Sequence, residues 1–191
     1  MNNLKIYIEI WYFRPYIQSY HIKKFKYMAI NISFINKINI KASSNTVIFV
    51  DEKFSAPHIK KFISKDDFFY INDLLKTKDP KKKILFYEIN SKKKFFLIPI
   101  KKNLKTIEAE KLGAEFYGHI NQGINSEYYI KTDSVLINNY NFLSFFLHGL
   151  KLKSYEFNKY KTKKEKRLIS IKVAGKKNIP SFQNQVKFKA L

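Results

Sequence analysis

The residues of this chain that could act as metal ligands or acid–base groups are its 15 acidic side chains and 4 histidines. A two-metal hydrolytic site needs several carboxylates with a Lys or His, around metals about 3.5–4 Å apart. The acids are scattered along the chain. Two adjacent acidic pairs, Asp51-Glu52 and Asp66-Asp67, lie where a strand end or a helix start accounts for them.

The histidines show no pairing at helical spacing, and none has a zinc-type neighbour in sequence. We expect surface or helix-end positions for all of them: His21, His58, His119 and His148. There is no Gly-x-Ser-x-Gly elbow, and 5 glycines leave no Gly-rich loop to cradle a phosphate. The sequence therefore predicts no catalytic residue, no metal ligand and no cofactor-binding residue.

Composition favours one globular domain in a reducing compartment. A chain of 191 residues with 45% hydrophobic residues is long enough for a core of its own. Cysteine is absent, so there is neither a disulfide framework nor a thiolate nucleophile. We expect a cytoplasmic location.

The formal net charge is +22, which attracts polyanions such as nucleic acid. Only Arg14 and Arg167 of the 37 basic residues are arginine, the residue that reads guanine and phosphate bidentately. Abundant Lys, Asn, Ile, Phe and Tyr are typical of an A+T-rich coding sequence, and we favour that explanation. The alternative is a basic nucleic-acid-binding module. Weak electrostatic affinity for nucleic acid is expected in either case.

The apolar runs are short and interrupted by Lys or Asn, so no membrane-spanning helix and no membrane partner are expected. Residues 1–27 form an extension that Pro15 breaks and that lacks a cleavage site for a signal peptide. One interpretation is a start codon placed too early, with Met28 as the true start. The other is a basic interfacial anchor through Trp11 and the lysines at 23–26. We favour the first.

Strand and helix signals alternate after residue 28. Strands are predicted for residues 31–40, 46–50, 84–87, 95–100, 128–130 and 168–173, with a hairpin turn at Asn90-Ser91-Lys92. A helix capped by Ser64 or Asp66 is predicted through Phe69, Leu74 and Leu75, and Asp79-Pro80 ends it.

Two stronger helix signals follow. The first starts at Thr106, which supplies an oxygen cap, with Glu108 and Glu110 favourable to the helix dipole, and it ends at Gly123. Its apolar face is Ile107, Leu112, Ala114, Phe116 and Ile120. The second starts at Asn141, ends at or just after Gly149, and turns Phe142, Phe145, Phe146 and Leu150 inward. A last helix begins at Ser181. This order predicts an α/β fold in which helices cover both faces of a mixed sheet.

The segment after the second strong helix carries a family resemblance. Its order is a helix end at Gly149, a Tyr-x-Phe pair at Tyr155 and Phe157, an Asn-Lys-Tyr-Lys-Thr run, and a basic run into a strand. This order resembles the end of the amino-terminal domain of the M17 leucyl aminopeptidases. The resemblance is best from Ala109 to Ser181, where Ala-Glu-Lys-Leu-Gly-Ala at 109–114 is part of it.

The resemblance implies a macro-domain-like three-layer fold for residues 28–178, with residues 179–191 starting a helix that leads to a catalytic domain. In that family two divalent metals, manganese or zinc, are bound in the carboxy-terminal catalytic domain by a motif like Asn-Thr-Asp-Ala-Glu-Gly-Arg. That motif is not in this sequence, and Lys131-Thr132-Asp133-Ser134 lacks the Glu-Gly-Arg.

The resemblance also implies packing on a catalytic domain and assembly into a homo-oligomer, and it implies purely structural roles for Phe157 and Tyr160. The family usually has an acidic residue where this chain has His148. We therefore expect a non-catalytic amino-terminal domain of a leucyl aminopeptidase, a class of exopeptidase that removes amino-terminal residues from peptides.

Deleting residues 1–27 tests their assignment as an extension outside the domain. The thermal midpoint should stay within a few degrees, since a loss of about 1 kcal/mol already moves it by about 2–4 °C in a domain of this size. Thermal unfolding followed by circular dichroism measures this. Loss of folding on deletion would show that the segment supplies a core strand.

Overall fold

The computed structural model describes residues 30–36, 45–77, 83–122, 127–136, 141–155, 168–181 and 183–185. Six strands form one sheet in the order β1-β6-β5-β2-β4-β3. The strands are β1 (Ile30–Ile35), β2 (Asn45–Asp51), β3 (Leu85–Asn90), β4 (Lys93–Ile100), β5 (Glu127–Lys131) and β6 (Ile169–Ala174).

The sheet is parallel except at one edge. β1 pairs with β6 from Ile30 opposite Ile169, and β2 runs parallel to both β4 and β5. β3 is antiparallel to β4, and residues 91–92 form the turn between them. The predicted hairpin and the predicted mixed sheet are therefore confirmed.

Alternation along β2 separates the two faces of the sheet. Val47 and Phe49 belong to the larger hydrophobic cluster, and Ile48 and Val50 belong to the smaller one on the opposite face. The larger cluster packs under α3 (Thr106–Asn121) and α4 (Phe142–Lys153), and the smaller one under α1 (Ala56–Lys60) and α2 (Lys65–Lys76). The predicted α/β fold with helices on both faces is confirmed.

Two glycines let α3 and α4 pack against each other with almost no space between their backbones. A Cβ placed on Gly113 would lie 2.0 Å from the carbonyl oxygen of Phe146 in α4. A Cβ placed on Gly149 would lie 2.0 Å from the carbonyl oxygen of Glu110 in α3. Each helix thus contributes one glycine to the same crossing, and no larger residue fits at either position.

Aromatic rings fill the space between this helix pair and the sheet. The Phe49 ring meets the rings of Phe142 and Phe146 edge to face, with centroids 5.2 Å apart in both pairs. Phe116 on α3 contacts Phe146, and both side chains are fully buried. Such edge-to-face pairs add about 0.5–1.5 kcal/mol beyond the burial of their area. The Phe content of the sequence is thereby used, in this part of the chain, for core packing.

Helix starts follow the predicted chemistry in one case and differ in another. The Ser64 hydroxyl accepts a hydrogen bond from the Asp67 N–H at the start of α2, as expected. Thr106 was predicted to cap α3, but it is the first helical residue and Lys105 precedes it as the N-cap. The Glu108 carboxylate stabilises this start by accepting from the Lys105 N–H at 2.9 Å. The prediction of a negative charge at the start of α3 is confirmed, and the prediction of its capping residue is wrong.

Two details of the sequence prediction are wrong. Gly149 does not end α4, which continues to Lys153 and buries this glycine at the crossing. Ile107, predicted to lie on the apolar face of α3, is 63% exposed. Ile71, with Phe68, takes the inward position in α2. The spacing of a few apolar residues does not determine which face of a short helix is buried. The contacts with the sheet determine it.

Several predictions lie outside the described residues. They concern the extension 1–27, the stop signals Asp79-Pro80 and Gly123, and the signature positions Phe157 and Tyr160. The predicted helix start at Ser181 is seen, because its carbonyl oxygen accepts from the Gln185 N–H at 2.9 Å.

Replacing Gly149 by Ala tests the crossing. The added Cβ meets backbone rather than a movable side chain, so the helices must separate, and we expect a loss of about 3 kcal/mol of unfolding free energy. Gly118→Ala is the matched control in α3, because nothing lies within 4 Å of its Cβ position. That change should stabilise the helix by about 0.5–1 kcal/mol.

Urea titration of both variants measures the two free energies. Equal effects of Gly149→Ala and Gly118→Ala would contradict the close contact of the helices.

Candidate functional site

Parallel α/β sheets bind ligands at the carboxyl edge of their strands, where the strand order reverses direction. Here that point lies between β2 and β5, since the chain passes from β2 to β4 on one side and from β5 to β6 on the other. The β2–β5 ladder ends at the Val47–Ile130 pair, although β2 continues to Asp51. The two strands therefore separate at their carboxyl ends.

Side chains of the protein occupy this opening. The Ser134 hydroxyl accepts from the Phe49 N–H at 2.9 Å and donates to the Lys131 carbonyl at 2.6 Å. His58 Nε2 lies 3.1 Å from the Phe49 carbonyl oxygen and 2.9 Å from that of Ser134. Because both partners are acceptors, Nε2 carries the proton and donates. His58 lies in the last turn of α1, at a helix end as expected, and its ring also ties α1 to the strand ends.

The loop after β6 closes over the same edge. Gly175 has φ +148°, and a Cβ there would lie 2.1 Å from Thr132 Oγ1. The Asp133 carboxylate accepts from the N–H groups of Lys176 and Lys177 at 3.0 and 2.7 Å. Asn178 donates to the Thr132 carbonyl at 3.3 Å. Asp133, in the segment that superficially resembles a metal motif, is thus used to order a loop.

Lys131 is the basic group nearest this opening. Its Nζ donates to the Phe62 carbonyl oxygen at 2.9 Å and lies 6.0 Å from the centre of the Phe62 ring. Burial lowers the pKa of Lys131 below its ordinary value, and the nearby Asp133 charge opposes that shift. The amine fastens β5 to the segment after α1.

One acid of each adjacent pair, Asp51 and Asp67, accepts hydrogen bonds from the backbone or from neighbouring side chains. Asp51 Oδ1 accepts from the N–H groups of Lys53 and Ser55 at 2.9 and 3.1 Å, which orders the turn after β2. Asp67 is buried and accepts from the Ser64 hydroxyl and from Lys93 Nζ, each at 2.5 Å. The predicted positions, a strand end for Asp51 and a helix start for Asp67, are confirmed, but Ser64 is the capping residue.

The remaining described histidines are His119 on α3 and His148 on α4. His119 is exposed near the end of α3, with its ring 5.7 Å from that of Phe86. His148 Nδ1 lies 2.9 Å from Glu110 Oε1, beside the glycine crossing of α3 and α4. An acidic residue at position 148, which the family resemblance would place there, would face Glu110 with like charge. His21 lies outside the described residues.

Among the described residues, no group of three or more His, Cys, Asp or Glu side chains could hold a metal ion. In the same part of the chain, no helix is both long and apolar enough to cross a bilayer.

Comparison with known proteins identifies the fold and leaves the family open. No protein-family profile matches the chain, and no curated protein is similar in sequence. The solved structure of a tomato leucine aminopeptidase mutant (K354E) aligns with 84% of this chain and 35% of its own, at 13% identity and a TM-score of 0.60. The macrodomain of Thermus aquaticus DarG aligns over 77% of this chain and 99% of its own, at 11% identity and a TM-score of 0.49.

The aminopeptidase likeness shows that this α/β arrangement occurs within a larger enzyme. This chain spans about a third of that protein's length. At such low identity the likeness concerns the fold alone.

The lowered pKa of Lys131 predicts a specific pH dependence. Between the lowered folded value and the ordinary value of 10.5, the unfolded chain binds a proton that the folded chain does not, so this lysine's contribution to stability rises with pH. The unfolding free energy of the wild type, minus that of Lys131→Met, should therefore increase as pH approaches 10.5 from below.

Urea titrations across that pH range measure the difference. Lys92→Met, at an exposed position on the β3–β4 turn, reports the effect of losing one surface cation. Identical pH curves for the two variants would contradict the buried position of the Lys131 amine.

Proposed function

We propose that this chain is the non-catalytic amino-terminal domain of a leucyl-type aminopeptidase. Its role would be to pack on a metal-bearing catalytic domain and to help that enzyme assemble as a homo-oligomer in the cytoplasm. The fold likeness supports this, because most of the chain aligns with about a third of a leucine aminopeptidase.

The observation that carries the proposal is where the sequence resemblance falls in the structure. Gly113 lies in the Ala-Glu-Lys-Leu-Gly-Ala segment at 109–114. Gly149 begins the order of residues, continuing through Tyr155 and Phe157, that resembles the family. These two glycines form the α3–α4 crossing. The resemblance implies a structural role for this domain in the family. We therefore expect this chain to share with the family the residues that determine how the domain packs.

The uses of the acidic residues agree with a non-catalytic role. Asp51, Asp67, Glu108 and Asp133 each accept hydrogen bonds from backbone or side-chain donors of nearby turns and helix starts. The described residues do not fit a two-metal site, since such a site needs several carboxylates converging on one point. We propose that the manganese or zinc of the enzyme belongs to the catalytic partner.

A basic binding module is the second candidate, and the net charge of +22 is the observation that favours it. Such a charge gives nonspecific affinity through release of the counterions that condense on nucleic acid. Sequence-specific binding would need base-edge contacts, for which arginine is the preferred residue. We therefore rank it below the aminopeptidase domain.

An assay of leucyl amide hydrolysis tests the leading proposal. The purified chain should release no leucine above background with manganese or zinc added, because the residues that the structure describes offer no set of metal ligands. A leucine aminopeptidase assayed in parallel is the positive control. Turnover that depends on added metal, disappears with chelator and comigrates with the chain would overturn the proposal.

Binding to nucleic acid at several salt concentrations separates the two candidates. Fluorescence anisotropy should give an affinity that falls by orders of magnitude between 50 and 200 mM salt, equally for unrelated duplexes, as counterion release requires. A duplex that retains its affinity against excess competitor at 200 mM salt would instead favour the binding module.

A further inference from the structure

A cavity of about 480 Å³ lies at the carboxyl ends of β2 and β4. Glu52 and Phe54 follow β2, Lys101 follows β4, and Lys111 and Leu112 come from the first turns of α3. Its volume lies within the range of about 300–1,000 Å³ in which small ligands bind.

The floor of the cavity is apolar and joins the two hydrophobic clusters of the domain. Leu104 and Leu112 pack on the larger cluster, and Phe54 packs on the smaller one. Phe54 has φ 57°, a left-handed conformation that is strained for a bulky residue. The Asp51 carbonyl oxygen accepts from its N–H at 3.0 Å and holds that turn in place. The ring is therefore positioned before any ligand arrives.

Among the charged side chains around the floor, two form an ion pair with each other and the others form none within the described part of the chain. Lys83 and Glu115 form an ion pair at 2.9 Å, and the Glu108 carboxylate accepts from the Lys105 N–H. The other charged groups at the cavity are Glu52, Lys101 and Lys111, and none of them forms an ion pair within the described part of the chain. The hydrogen bond from a backbone N–H leaves the negative charge of Glu108 uncompensated, so the open charges are two cations, Lys101 and Lys111, and two anions, Glu52 and Glu108.

We propose that this cavity binds a short zwitterionic peptide with an apolar side chain, of about dipeptide size. The two lysines take its carboxylate, Glu52 takes its ammonium group, and the floor of Phe54, Leu104 and Leu112 takes its side chain. A phosphate ligand suits the cavity less well, because Glu52 repels a second negative charge and the described loops around it lack the glycines that bring backbone N–H groups to phosphate.

The inference rests on the charges and shape of this cavity and is independent of the aminopeptidase assignment. It concerns binding by the isolated chain and requires no catalysis. The two proposals can therefore fail separately.

Titration of the full chain with leucyl-leucine, followed by isothermal calorimetry at low ionic strength, tests the site. From the affinity per atom that ligands of this size reach, we expect a Kd of about 0.1–1 mM. N-acetyl-leucyl-leucine amide, which has neither charge, should bind at least about 10-fold more weakly.

Single charge removals identify the groups that bind. Lys101→Met, Lys111→Met and Glu52→Gln should each weaken leucyl-leucine about 3- to 5-fold, as partly exposed charge pairs do. All three positions are exposed, so the variants should fold, and their thermal midpoints check this. Lys92→Met, on the distant β3–β4 turn, is the control and should leave the Kd unchanged.

Three results would overturn the proposal. They are no heat of binding up to 10 mM leucyl-leucine, equal weakening by Lys92→Met, and tighter binding of adenosine monophosphate that Glu52→Gln strengthens. The last result would identify an anion site in place of a zwitterion site.

Discussion

The close contact between α3 and α4 is the constraint on which the rest of this domain depends. Gly113 and Gly149 each face a carbonyl oxygen of the other helix at a distance that excludes even a methyl group. This approach lets Phe116 and Phe146 reach each other and lets Phe146 reach Phe49 on the central strand. A wider crossing would leave voids under the helices, and voids in a packed core cost stability in proportion to their volume. The packing of the larger hydrophobic cluster therefore depends on the two glycines at the crossing of α3 and α4.

The carboxyl edge of the sheet, where α/β proteins commonly hold a ligand, is used for internal fastening in the region of β2, β5 and β6. Ser134, His58 and Asp133 satisfy backbone groups that the diverging strands and the loop after β6 would otherwise leave open. Buried backbone groups without partners are costly, so these side chains stabilise the fold rather than leaving room for chemistry. The open cavity lies to one side of this region, against the start of α3, and its free charges are what distinguish it.

Local signals carried most of the element prediction. The hairpin turn at residues 91–92, the Ser64 cap and the acidic start of α3 depend on nearby residues, and all three could be read from the sequence. Gly149 was misread because a glycine after an apolar helical pattern is an ordinary stop signal. Its real role depends on Glu110, 39 positions earlier in the chain. The helix-end position of His58 could be predicted, but its partners could not, since they lie on β2 and after β5. The cavity combines three separate segments, and no local pattern indicates it.

Isolation of the native protein from the cells that make it tests the central claim most directly. The account predicts that this sequence either continues into, or copurifies in equal amount with, a polypeptide that carries a motif like Asn-Thr-Asp-Ala-Glu-Gly-Arg. That preparation should hydrolyse leucyl amide with added manganese, and mass spectrometry should identify both segments. Recovery of a stable 191-residue chain by itself, with no such polypeptide and no activity, would contradict the account.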